Sequence, residues 1–297
     1  MKKDFLSITD LSAKEIWQVL LLAKKLKQNK NKHFLRNKQM VLLFEKPSLR
    51  TKLSFDIAMN QLGGHTVYFG PGEVGLGTRE PGADVAKVIS SMTDLIAARV
   101  FSHKDLEQLA KNSEVPVINA LSDLEHPCQA LTDLFTIWEI KRMIEGLKIA
   151  YVGDGENNVA HSLALGATML NMSFACASPK GYRMNKDIVL KAKKYGKVLE
   201  TIDPKEAVKN ADVVVTDTWI SMGDSDKEKR MKIFKKYQVN QTLMQLAKKE
   251  AIFMHCLPAY RGKEVTADVI DGSQSVVFQE AENRMYVQKA LLIYLLG

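Results

Sequence analysis

The chain has 297 residues, 46% hydrophobic and 26% charged, the make-up of an ordinary globular protein long enough for two domains, since single cores seldom grow past about 250 residues. Its 42 Lys and Arg against 34 Asp and Glu give a net charge of +8, which suits nucleic acid, a membrane surface or a small anionic substrate. No long basic run and no RNA-binding or zinc-finger signature accompanies that charge, and the three widely spaced cysteines, Cys128, Cys176 and Cys256, point away from a disulfide framework or a Cys-x-x-Cys zinc site.

The N-terminus, Met1-Lys2-Lys3-Asp4-Phe5-Leu6, is basic but has no apolar stretch behind it, and Ser12-Ala13-Lys14-Glu15 reads as a capping box, so a cytoplasmic protein is expected. Ile16, Val19, Leu20, Ala23 and Leu26 mark a first amphipathic helix, followed by a polar connection from Gln28 to Asn37. Met40 to Phe44 is a continuous apolar run of the kind a buried parallel strand needs, and Lys46-Pro47 ends it. Leu49, Leu53, Ile57 and Ala58 then recur at helical spacing until Gly63-Gly64. Ser48 therefore stands at the N-cap, and the free N–H groups of the first turn make an anion site. Ser48, Arg50 and Thr51 add two hydroxyls and a guanidinium to that turn, a donor set suited to phosphate, although an ordinary Ser cap followed by a solvated Arg has the same spacing.

Val67 to Phe69 reads as a second strand, and the loop Gly70 to Gly77 carries four glycines, suggestive of a mobile cover. Val85, Val88, Ile89 and Met92 predict a helix, Leu95 to Val100 a strand holding Arg99, His103 to Asn112 a helix, and Val115 to Leu121 a strand. This βαβα succession implies a parallel sheet whose site lies at the strands' carboxyl ends, where Arg99 and Glu125-His126-Pro127-Cys128-Gln129 would approach Ser48. A surface ion pair for Arg99 and a structural role for His126 are the plainer alternatives.

A long helix from Pro127 through Trp138 and Met143 leads to Gly146, a plausible boundary, and a second alternating unit begins at Leu147. Gly153 and Gly155 resemble the start of a dinucleotide fingerprint, but Asn158 stands where its third glycine belongs, and the strand Ser173 to Ala177 ends in Ser178-Pro179 rather than in an acid for ribose. Further strands are expected over Lys197 to Ile202, Ala211 to Thr216 and Ala251 to Met254. The last two end in polar clusters, Asp217-Thr218-Trp219-Ile220-Ser221-Met222-Gly223 and His255-Cys256-Leu257-Pro258. A final helix begins near Glu280. The fold expected is α/β, two doubly wound parallel-sheet domains bridged by two helices.

Together, Ser48-Leu49-Arg50-Thr51, Arg99, His126-Pro127-Cys128-Gln129, the Asp217 to Gly223 cluster and His255-Cys256-Leu257-Pro258, in this order, resemble the ornithine carbamoyltransferases of the aspartate/ornithine carbamoyltransferase family. The likeness runs from the first helix to the last. It implies a carbamoyl phosphate domain over residues 1–145, completed by the C-terminal helix 281–297, and an ornithine domain over 146–280. It also implies transfer of the carbamoyl group to the δ-amine of L-ornithine, giving L-citrulline and phosphate in arginine biosynthesis. No metal or organic cofactor, nucleic acid or membrane enters this picture, and the chain is expected as a homotrimer able to assemble further, with the glycine-rich loop reaching a neighbour.

Carried over residue by residue, the resemblance gives the phosphate to Ser48, the Leu49 backbone, Arg50, Thr51, Arg99 and Arg284. It gives the carbamoyl oxygen to Arg99, His126 and Thr51, and the carbamoyl amide to Gln129. Asn158 and the Met222 backbone would take the α-carboxylate of ornithine, Asp217 and Ser221 its α-ammonium, and Cys256 and Leu257 would lie beside the attacking amine. Leu49 and Lys52 depart from the family's usual Thr and Arg, and Gly75 stands where some relatives carry Gln. Attack of a neutral amine on a carbamoyl carbon needs fixed donors more than a covalent nucleophile, and Cys256, whose neighbour His255 should point elsewhere in an extended segment, is read as orienting the amine. A dehydrogenase and a basic nucleic-acid binder are the rival readings.

Overall fold

A computed structural model describes residues 2–28, 33–76, 79–220 and 226–297. The chain divides into two compact units, Met1–Phe135 with Glu282–Gly297, and Thr136–Ala281.

In the first unit the apolar runs become four parallel strands, β1 (Gln39–Phe44), β2 (His65–Phe69), β3 (Leu95–Arg99) and β4 (Val117–Leu121), in the order β2-β1-β3-β4. Both faces of β1 are buried, as its unbroken hydrophobicity requires: Val41 and Leu43 pack with Ile96, Ala98 and Leu106, while Met40 and Leu42 are fully covered on the other side. Helices α1 (Ala13–Gln28), α2 (Leu49–Gln61), α3 (Gly82–Ser90) and α4 (His103–Asn112), with α5 (Pro127–Lys141) as far as Phe135, complete the alternation. The chain steps from β1 to β2 and then back to β3 on the other side of β1, so the sheet's switch point lies between β1 and β3. There the register sets Phe44 beside Arg99.

The Ser12 capping box forms, with the Ser12 N–H donating to Glu15 Oε2 at 2.8 Å and the Glu15 N–H to Ser12 Oγ at 3.3 Å. All five apolar positions expected to face inward on α1 are buried. The apolar stripe read on α2 is different. Leu49 and Leu53 are 74% and 51% exposed, and the covered face is Thr51, Ser54, Phe55, Ala58 and Met59. At 100° per residue the two leucines fall opposite that arc, so the helix is rolled to turn its small and hydroxylated side inward. Val88 and Met92 are likewise exposed, whereas Val85 is buried as expected, beside Ala86. The helix from Pro127 stops at Lys141, where Arg142 adopts a left-handed φ of 64°, short of Gly146.

The second unit holds five parallel strands, β5 (Lys148–Val152), β6 (Ser173–Ala177), β7 (Val198–Thr201), β8 (Val213–Val215) and β9 (Ile252–Met254), in the order β7-β6-β5-β8-β9. Its helices are α6 (Asn158–Met169), α7 (Lys186–Lys193), α8 (Pro204–Val208), α9 (Lys227–Phe234), α10 (Gln241–Met244) and α11 (Ala267–Ile270), and α12 (Val277–Leu296) begins three residues before the expected Glu280. The switch point here lies between β5 and β8. A core of Val152, Val214, Phe253, Trp219 and Phe234 lies against one face of the sheet.

Candidate active site

The first cluster stands at the carboxyl ends of β1, β3 and β4. Ser48 has extended backbone angles and caps α2, its Oγ accepting from the Thr51 N–H at 3.3 Å, so the helix begins with its N-terminal donors where β1 ends. Glu45 ties this exit to that of β3: its N–H donates to the Arg99 carbonyl at 2.8 Å and its carboxylate accepts from the Phe101 N–H at 2.8 Å. Thr51, Arg99, His126 and Arg284 are all buried. Arg284, on α12, donates to Thr51 Oγ1 at 2.9 Å and to the side-chain oxygen of Gln129, whose amide nitrogen donates to Asp133 at 2.8 Å.

His126 sits just before Pro127, the first residue of α5, a position where proline's missing N–H costs nothing. Burial, then the positive charges of Arg284 and Arg99, push its pKa well below the usual histidine value, so the ring is neutral at physiological pH. A neutral imidazole can still donate one N–H to a substrate oxygen. The turn that delivers it rests on Asn119, fully buried, whose side-chain NH2 donates to the Leu6 carbonyl at 2.9 Å, to Ser122 Oγ at 3.2 Å and to the Glu125 carbonyl at 3.3 Å. Glu125 in turn accepts from the Ile8 N–H at 3.2 Å. The sequence reading did not single out Asn119 or Ser122; an Asn inside an apolar strand was the available signal. Cys128 is a packing residue here, its thiol pushed by burial up to about 12.

The second cluster stands at the carboxyl ends of β5, β8 and β9. The two glycines that resembled a dinucleotide fingerprint have steric reasons of their own. Gly153 has φ of 145°, and a Cβ on Gly155 would come within 2.7 Å of the Tyr182 carbonyl and 2.9 Å of the Met184 nitrogen. Asn157 caps α6 and joins it to the β8 exit: its Oδ1 accepts from the Val159 N–H at 2.7 Å, and its Nδ2 donates to Asp217 Oδ2 at 2.9 Å. Asn158 is the first residue of α6. Asp217 also accepts from its own neighbour's N–H, Thr218, at 2.8 Å and from the Cys256 thiol at 3.4 Å.

His255 is fully buried. Its Nδ1 accepts from the Leu257 N–H at 2.9 Å, which puts the ring proton on Nε2, 3.3 Å from Glu264 Oε1. Leu257, with a left-handed φ of 59°, is thereby held in an unusual conformation beside Cys256. Asp217, His255 and Cys256 offer ligand atoms within 4.8 Å of one another; the ring nitrogens of His255 bond to Leu257 and Glu264, while the Cys256 thiol bonds to Asp217.

Of the residues named from the sequence, Ser48, Leu49, Arg50, Thr51, Arg99, His126, Gln129 and Arg284 belong to the first unit, and Asn158, Asp217, Cys256 and Leu257 to the second. Ser221 and Met222 lie outside the described residues, as does Gly77 of the glycine-rich loop. The described part of that loop makes its own turns, the Glu73 N–H donating to the Gly70 carbonyl at 3.2 Å and the Arg79 N–H to the Gly75 carbonyl at 2.8 Å.

Two doubly wound α/β units, one with an anion cradle of helix N-terminus and buried arginines, the other with a carboxylate and thiol at its switch point, define a two-domain group-transfer enzyme. Comparison with known families agrees: residues 3–139 match the aspartate/ornithine carbamoyltransferase, carbamoyl-P binding domain, and residues 145–295 the aspartate/ornithine carbamoyltransferase, Asp/Orn binding domain. The chain belongs to the aspartate/ornithine carbamoyltransferase family. It is 48% identical to an ornithine carbamoyltransferase of Methanosarcina acetivorans over the whole of both chains, and 50% identical to one of Methanocaldococcus jannaschii over 98% of each. The structure of ornithine carbamoyltransferase from Pyrococcus furiosus superposes with a TM-score of 0.96 at 47% identity, covering 100% of this chain and 97% of that one.

Proposed function

We propose that this chain is an enzyme that transfers the carbamoyl group of carbamoyl phosphate to the δ-amine of L-ornithine, releasing L-citrulline and phosphate. The observation that carries the donor half is the buried set Thr51, Arg284 and Gln129 at the N-terminus of α2, with neutral His126 in the same unit. Ser48, the Leu49 N–H, Arg50, Thr51, Arg99 and Arg284 hold the phosphate. Arg99, His126 and Thr51 donate to the carbamoyl oxygen, on which negative charge grows as the amine attacks. Gln129 receives the carbamoyl amide. As the C–O bond to phosphate breaks, the arginines take up the charge that leaves with it, and the amine gives up its proton.

On the acceptor half, Asp217 with Ser221 pairs the α-ammonium, Asn158 and the Met222 backbone take the α-carboxylate, and Cys256 and Leu257 flank the attacking nitrogen. The described stretch Asp217-Thr218-Trp219-Ile220 carries no cation to receive a second carboxylate, which favours ornithine over aspartate. The role fits arginine biosynthesis in the cytoplasm, and no described helix is long and apolar enough to cross a membrane. The exposed Leu49 and Leu53 on α2 and Val67 on the edge strand β2 are apolar surface that a further subunit of a homotrimer would cover. Light scattering at several concentrations tests the assembly.

The activity is tested by incubating the protein with carbamoyl phosphate and ornithine and measuring citrulline and phosphate. Equal amounts of both, dependent on enzyme, are expected. Phosphate release without citrulline would refute the transfer.

A further inference from the structure

One buried ion pair links three separate segments of the second unit. Arg230, on α9, donates from Nε to the Trp219 carbonyl at 2.7 Å and from a terminal nitrogen to Asp154 Oδ2. Its guanidinium lies 4.9 Å from the ring centre of Tyr182 and 5.1 Å from that of Phe234, which covers its faces and leaves the fork edge to choose the partners. Both charged residues are buried, at 7% and 5% exposure. Removing two charges from water is costly, and stability alone would be served as well by apolar residues of the same volume.

The pair's placement suggests what it does. Asp154 is the first residue after the Gly153 turn at the end of β5, and its other oxygen, Oδ1, accepts from the Glu156 N–H at 3.0 Å, shaping the turn that leads into Asn157 and Asn158. Trp219 lies two residues after Asp217 at the end of β8, packed on Phe234 with ring centres 6.2 Å apart. Asn157 closes the circuit through its 2.9 Å hydrogen bond to Asp217. The β5 exit and the β8 exit are thus joined by Asn157 to Asp217 and through Arg230, beyond the direct bond from Thr216 Oγ1 to the Val152 carbonyl at 2.6 Å.

We propose that Arg230 and Asp154 are positioning residues that set the distance between the Asn158 and Asp217 arms of the amino-acid acceptor site, a role that rests on the acceptor reading given above. The fixed fork of Arg230 holds the Trp219 carbonyl against the β5 turn, so both arms meet the ammonium and carboxylate of the bound amino acid without first being drawn together.

The test uses the full chain as Arg230→Gln, Arg230→Lys and Asp154→Asn, with Ile188→Ala on α7 as a packing control. For each, kcat and KM for ornithine are measured alongside the Kd for carbamoyl phosphate and the melting temperature. Arg230→Gln should raise KM for ornithine about tenfold or more while the carbamoyl phosphate Kd stays within about twofold. Arg230→Lys should not rescue it, because an ammonium cannot bridge carbonyl and carboxylate as a fork does. Ile188→Ala should lower the melting temperature and leave KM near wild type. An ornithine KM unchanged in folded Arg230→Gln, or a parallel loss of carbamoyl phosphate affinity, overturns the proposal. Should Arg230→Gln not fold, near-isosteric Asp154→Asn decides it by the same criterion. Failure of wild type to use ornithine at all would instead refute the acceptor reading.

Discussion

Arg284 donates to the hydroxyl of Thr51 at 2.9 Å, although 233 residues separate them in the chain. The contact brings the last helix onto the first turn of α2, so that the proposed anion cradle is assembled from the two ends of the sequence. Arg284 is 2% exposed, whereas Arg50, one residue before Thr51, is only partly covered.

Arg284→Met should therefore cost more than Arg50→Ala. It removes a desolvated, charge-assisted donor and leaves Thr51 and Gln129 without it, a loss on the order of 3 kcal/mol in carbamoyl phosphate binding against about 2 kcal/mol for Arg50→Ala. Arg50→Ala should also lower kcat, since charge builds on the departing phosphate. Calorimetric titration with carbamoyl phosphate measures both, and unchanged affinity in either variant would remove that residue from the cradle.

His126 predicts a pH dependence of stability. An unfolded histidine takes up a proton near pH 6.5, while the folded ring, held neutral by burial and by Arg284 and Arg99, does so only well below that value. Below about pH 6.5 the unfolded chain binds the additional proton, so acidification favours unfolding, with a limiting slope of about 1.4 kcal/mol per pH unit; above it the contribution is flat. Urea unfolding of the ligand-free protein at pH 7.5 and 5.5 should show a smaller loss in His126→Gln than in wild type. Equal losses would contradict the neutral, desolvated ring.

Cys256 donates its thiol to Asp217, and the ring nitrogens of His255 are taken up by Leu257 and Glu264, an arrangement that suits orienting the amine rather than covalent attack. Cys256→Ser keeps a donor at that place and should retain measurable turnover with a raised KM for ornithine. Mass spectrometry after rapid quench should find no carbamoylated protein, and a trapped carbamoyl thioester would overturn the assignment.

The strands were readable because a parallel sheet buries both faces, so β1, β3 and β5 are written as unbroken apolar runs, and the residues just past them fall at the switch points by topology alone. The orientation of α2 was not readable, because Leu49 and Leu53 advertise an apolar stripe while the fold turns Thr51 and Ser54 inward. Asn157, the cap of α6, was not singled out because nothing in a sequence of two adjacent asparagines marks which one starts the helix. The Asp154 and Arg230 pair spans 76 residues and leaves no periodic trace, and the Asn119 brace is visible in sequence only as a polar residue in a strand.

The central claim is the acceptor, and the measurement that tests it most directly is the ratio of kcat/KM for ornithine, aspartate and putrescine in wild type and Asp217→Asn. A site with an acid and no cation on the described part of its loop repels a dicarboxylate, and one that grips the α-carboxylate handles putrescine poorly. Ornithine should exceed both by about a hundredfold or more, a margin expected when a buried polar partner is lost, and Asp217→Asn should lower the ornithine value. Comparable kcat/KM for putrescine and ornithine, or an aspartate rate equal to that of ornithine, would contradict this account.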